Sequence, residues 1–177
     1  MNKLNLIPLF FAALFLYGCP GDAVDDDLNP TTLDCQQIWT SMSVEDFCNL
    51  DFNSYYELKE EDETCQVHFL LNEAWGYDDV IQVIINLEHD ALTAELSFDN
   101  YCLSLAMAAA DSNDSEYLTS STIGDETCIL NAINEADPGI FMYVRKGIVT
   151  AYIAVAALDC FSEDDVYELA GRIASAM

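Results

Sequence analysis

Two apolar segments, 140–144 and 148–155, flank Arg145-Lys146-Gly147 and predict a β-hairpin that closes where glycine can take a positive φ. Strand pairing at this point limits the rest of the chain, because a hairpin must bury one face against something else. The ending supplies a partner. Ser162 stands as an N-cap with Asp165 three residues on, and Val166, Leu169, Ala170, Ile173, Ala174 and Met177 follow on one helical stripe. Glu163, Asp164 and Asp165 occupy the first turn of that helix, where its dipole favours negative charge.

Upstream, Val80, Ile81, Val83, Ile84 and Ile85 are β-formers in a nearly unbroken apolar run. They predict a strand over 80–87 buried on both faces, and a second extended segment is expected over 65–71. Asp34 precedes Cys35-Gln36-Gln37 as an N-cap, and Ser43-Val44-Glu45-Asp46 reads as a second helix start. Glu60 to Glu63 reads as an acidic link. Residues 91–110 carry two patterns. Leu92, Ala94, Leu96 and Phe98 alternate as in a strand, whereas Phe98, Tyr101, Cys102, Leu105 and Ala109 recur at helical spacing, which favours one helix. A polar loop is expected over 111–122, then a strand near 128–133 and a turn at Asp137-Pro138-Gly139. The sum is an α+β fold: an antiparallel sheet covered by helices, closed by an amphipathic terminal helix.

Charge sets limits on partners. The chain has 32 acidic residues and a formal net charge of −27. After residue 19 the strong bases are Lys59, Arg145, Lys146 and Arg172. Such a surface repels phosphates, which excludes nucleic acid as a partner and favours solubility.

The amino-terminal segment supplies an address. Met1-Asn2-Lys3 precedes an apolar stretch from Leu6 to Tyr17, too short for a stable membrane-spanning helix. Leu16-Tyr17-Gly18-Cys19 resembles the lipobox of bacterial lipoproteins, although Tyr17 stands where small or β-branched residues are usual. A plain secretory signal and an uncleaved anchor are the competing readings of the segment. The resemblance implies cleavage before Cys19 and acylation of its thiol, with buried methylenes contributing roughly 0.8 kcal/mol each to anchoring. It divides the chain into a signal peptide (1–18), a lipidated acidic tether (19–32) and a single α+β domain (33–177). Pro20 lacks the aspartate that favours inner-membrane retention in enteric bacteria, so the outer membrane is the favoured location within the envelope.

Apart from Cys19, the cysteines are Cys35, Cys48, Cys65, Cys102, Cys128 and Cys160, none paired as Cys-x-x-Cys. An even number in an exported chain predicts three disulfides, with 15 connectivities open. No nucleophile signature surrounds any of them, His68 and His89 lie apart, and no catalytic residue or cofactor is assigned. Asp111, Asp114 and Glu116 are a weak calcium candidate, since a short acidic loop supplies hard oxygen donors. Tyr55, Tyr56, Trp75 and Tyr77 are weak candidates for lining a ligand groove.

The run Ile123-Gly124-Asp125-Glu126, then 142–149 with Arg145 and Gly147, then the terminal helix, resembles a pattern in actinobacterial lipoproteins of unknown function. It is similar also to extracellular sensor domains of mycobacterial membrane kinases. That likeness takes in Cys35 on an early helix and Cys65 entering the first strand, and it implies ligand sensing, carriage or contact with an envelope protein. The expected function is therefore a lipid-anchored binding or sensing module, its partner an envelope protein or a small ligand. The alternatives are an envelope hydrolase or carbohydrate-active enzyme using paired carboxylates, and a calcium-stabilised structural lipoprotein. Replacing Cys19 with Ala is expected to alter processing and membrane fractionation; a variant in which both stay unchanged would refute the anchor.

Overall fold

The computed structural model describes residues 32–47, 56–61, 63–70, 80–134, 138–156 and 161–177. Residues 1–31 with Cys19, and Cys48, Tyr55, Trp75, Tyr77, Asp137 and Cys160, lie outside the described residues.

The hairpin forms where the sequence places it. Strands β6 (Ile140–Lys146) and β7 (Val149–Val155) pair antiparallel, Lys146 opposite Val149, around a two-residue loop in which Gly147 has φ of +59°. The remaining strands are β1 (Tyr56–Glu61), β2 (Thr64–Leu70), β3 (Val80–Leu87), β4 (Glu116–Ser120) and β5 (Glu126–Asn131). All seven join one antiparallel sheet in the order β1-β2-β3-β7-β6-β5-β4. The helices are α1 (Cys35–Met42), α2 (Ala91–Ala110) and α3 (Glu163–Ala176).

Each face of the sheet has its own cover. On one, Ile81, Val83 and Ile85 of β3, Ile153 of β7 and Met142 of β6 pack with Ile38 and Met42 of α1 and Leu169 and Ile173 of α3. On the other, Phe98 and Cys102 of α2 meet Cys128 of β5 and Tyr143 of β6. A disulfide ties each cover to the sheet: Cys35–Cys65 joins α1 to β2, and Cys102–Cys128 joins α2 to β5. Their sequence separations of 30 and 26 correspond to about 3–4 kcal/mol each of unfolded-state entropy on the loop-closure account.

Four local expectations are corrected. Strand β3 is not buried on both faces: Ile81, Val83, Ile85 and Leu87 are buried, while Gln82, Ile84 and Asn86 are half-exposed, because α2 packs chiefly over β5 and β6. The polar loop at 111–122 contains edge strand β4, whose Tyr117 and Leu118 pack against opposite cores and outweigh the flanking Asp and Ser residues. The acidic link at 60–63 is the tip of the β1–β2 hairpin, Glu61 opposite Thr64, with charged residues on an edge strand as such edges require. Ser43 does not open a second α-helix; it ends α1 at φ 41° and precedes a single 3-10 turn, Val44–Asp46. The ambiguous 91–110 segment is one α-helix, capped by Asp90, whose side chain accepts from the Thr93 N–H at 2.7 Å.

The α3 capping box is complete. Asp165 N–H donates to Ser162 Oγ, and Asp165 Oδ2 accepts from the Ser162 hydroxyl at 2.6 Å and its backbone N–H at 2.8 Å. At the other end Lys146 Nζ donates to the Ala174 carbonyl at 2.8 Å, placing positive charge where the dipole is negative. Arg172 clamps α3 to the end of α1: its guanidinium pairs with Asp46 and Glu168, both at 2.8 Å, donates to the Met42 carbonyl, and lies 4.5 Å from the Phe47 ring centroid.

The Ser162 hydroxyl and then its backbone N–H hold the Asp165 carboxyl below its ordinary value. A depressed folded-state pKa stabilises above the unfolded value, and that contribution is lost as pH falls through the folded one. Asp165→Asn is therefore expected to lower the urea midpoint at pH 7, with the gap from wild type closing as pH falls below about 4. A gap that stays constant down to acid pH overturns this assignment.

Candidate functional site

The motif Gly124-Asp125-Glu126 meets the β6–β7 hairpin, and its work there is structural. Gly124 has φ of +65°, and a Cβ at that position would stand 2.6 Å from the Arg145 carbonyl oxygen and 2.8 Å from Val144 Cγ1. The Asp125 N–H donates to that same Arg145 carbonyl, while Asp125 Oδ2 accepts from the Gly147 N–H at 2.7 Å. Glu126 Oε2 accepts from Arg145 Nε and Nη2 at 3.1 and 2.9 Å. The three residues thus fasten the β4–β5 connection to the hairpin turn, and Arg145 also donates to the Gly147 carbonyl.

Asp111 is the C-cap of α2, Asp114 donates its N–H to Ser112 Oγ, and Glu116 opens β4. Among the described residues no group of three or more His, Cys, Asp or Glu side chains gathers as a metal site. Cys35, Cys65, Cys102 and Cys128 are brought together in two disulfides, two of the three that the even cysteine count predicts, while Cys48 and Cys160 lie outside the described residues. Tyr56 enters as the first residue of β1, opposite Phe69, and His68 lies on β2 beside Gln66. No helix among the described residues is long and apolar enough to cross a membrane.

A groove of about 450 Å³ runs between α2 and the β4–β5 edge, floored by the Cys102–Cys128 disulfide and bordered by Phe98, Asp99, Tyr117 and Glu126. Desolvation, and secondarily the charge of Asp99, push the Tyr117 hydroxyl above its ordinary value. Paired-carboxylate hydrolysis would draw on Asp99 and Glu126, but Glu126 is bound by two guanidinium nitrogens of Arg145.

The more informative surface is the outer side of α2, which the sequence reading did not single out. Ala94, Phe98 and Cys102 are buried against the sheet, and Tyr101 stacks on Tyr143 with ring centroids 4.0 Å apart. On the opposite side Leu92, Leu96, Leu103 and Met107 are 65%, 54%, 59% and 61% exposed. At 100° per residue these four fall within an arc of about 60°. A helix apolar on both sides is normally buried on both, so an exposed apolar stripe of this kind is unusual for a surface helix. The signal was present in the sequence as the strand-like alternation of Leu92 and Leu96 with Ala94 and Phe98: once helical, the two sets face apart.

Comparison with known proteins returns nothing to set beside this geometry, since no family model, curated protein or solved structure matches the chain.

Gly124→Ala is expected to destabilise by about 2–3 kcal/mol, from the left-handed backbone together with the blocked Cβ position. Gly171→Ala, within α3 where an added Cβ meets nothing within 4 Å, is expected to stabilise by about 0.5–1 kcal/mol. Chemical denaturation of the two variants checks the contrast, and equal effects would sink the clasp assignment.

Proposed function

We propose that this chain is a lipid-anchored module of the bacterial cell envelope, tethered through Cys19 and acting by non-covalent binding rather than by catalysis. The observation that carries the reading is the exposed apolar stripe of α2, which is stapled to the sheet by Cys102–Cys128 and so is presented on a fixed support. Rigid support lowers the ordering cost of binding. The lipobox, the absence of aspartate after Cys19 and the two disulfides favour an exported, outer-membrane location. The weak likeness to actinobacterial lipoproteins and kinase sensor domains points the same way.

A photo-crosslinking amino acid placed at position 103 of the anchored protein is expected to give a discrete adduct in cells. The same group at position 164, exposed on α3, is expected to give none. No adduct from 103, or equal labelling from both positions, overturns the reading.

A further inference from the structure

The stripe on α2 has a chemical character that narrows what can cover it. Glu95 and Asp99 are exposed along one edge and Asn100 and Ser104 along the other, and α2 contains no Lys, Arg or His. Asp99 does more than border the stripe. By helical position it falls in line with Leu92 and between Leu96 and Leu103, so an occupant long enough to touch all three leucines also covers its carboxylate. A carboxylate covered without a cation is strongly disfavoured.

That condition separates the occupants. A second copy of this chain brings a net charge of −27, and its own α2 offers no cation to Asp99. Among the strong bases whose side chains are described, Arg145 pairs with Glu126, Lys146 caps α3 and Arg172 pairs with Asp46 and Glu168. An anionic lipid surface meets the same repulsion. The complement of this face is an apolar surface with positive charge at its edge, about 22 Å long from Leu92 to Met107 at 1.5 Å per residue. An amphipathic helix supplies both at matching spacing.

We propose that the outer face of α2 docks a basic amphipathic helix of another protein, its apolar side on Leu92, Leu96, Leu103 and Met107 and a Lys or Arg against Asp99. This rests on the reading of the chain as a binding module and names the partner's chemistry.

The test uses the anchored protein in phosphatidylcholine nanodiscs and two synthetic helical peptides of about twenty residues that share one leucine stripe. One carries lysines beside the stripe, the other glutamates, and fluorescence anisotropy reads binding. The lysine peptide is expected to bind at least about tenfold more tightly than its counterpart, with affinity falling as salt rises. Leu96→Asn with Leu103→Asn is expected to weaken it by about tenfold or more. Asp99→Lys is expected to shift preference towards the glutamate peptide. Equal binding of the two peptides, binding of neither, or undiminished binding of the lysine peptide to the leucine variant overturns the proposal.

The crosslink at position 103 separates this failure from that of the binding reading. An adduct to a protein segment lacking Lys and Arg, to a second copy, or to lipid overturns the basic helix while leaving a binding face in place. Absence of any adduct removes both.

Discussion

The pairing of β3 with β7 holds the two halves of the chain together. Seven residue pairs from Ile81–Val155 to Leu87–Val149 join a strand formed early in the sequence to the last strand of the sheet. On the covered face of this ladder Ile81, Val83, Ile85, Ala151 and Ile153 are all at most 1% exposed. Everything else attaches to it: β2 and β1 extend one side, β6, β5 and β4 the other, and α1 and α3 lie over its buried face. This ladder joins segments much farther apart in sequence than the β1–β2 and β6–β7 hairpins do, so its loop-closure cost is higher than theirs.

Much of that arrangement was legible because the informative residues are local. Gly147 between two β-forming runs, and Ser162 with Asp165 ahead of an apolar stripe, state their geometry within a few residues. The sheet order was not legible, since nothing near Ile81 says that its neighbour is Val155. The edge strands were missed for a related reason. In β1 and β4, Glu57, Lys59, Glu60, Glu116 and Ser120 give the composition of a loop, while ladder bonds to a single neighbour give the conformation of a strand. The exposed face of α2 was hidden differently: Leu92 and Leu96 count as core in any hydrophobic pattern, and only the position of α2 over β5 and β6 shows that they point away from one.

Positive charge is scarce here, and the strong bases whose side chains are described sit at joints. Arg145 and Lys146, adjacent in β6, serve the clasp beside Glu126 and the end of α3, and Arg172 joins α3 to α1. Exposed ion pairs contribute little individually, but Arg172 combines two carboxylates, a carbonyl and a ring at one point, where a neutral side chain would leave them adjacent and unbridged. A domain with so many acids needs its few bases at such places, because elsewhere they would merely neutralise surface.

That excess of acid also explains how α2 can keep an apolar stripe in water. Exposed leucines on rigid helices invite self-association, and two copies approaching through α2 would bring Glu95 and Asp99 of each within a Debye length of the other, about 8 Å at physiological salt. The repulsion acts before the apolar surfaces meet and grows with the rest of each domain's negative charge. In the docking proposed for this face, the same field would attract a cationic partner and steer its approach, so one feature would discourage the wrong contact and speed the right one. Apolar area and negative charge on α2 would then be complementary requirements: the stripe would supply affinity, and the acids would decide what can use it.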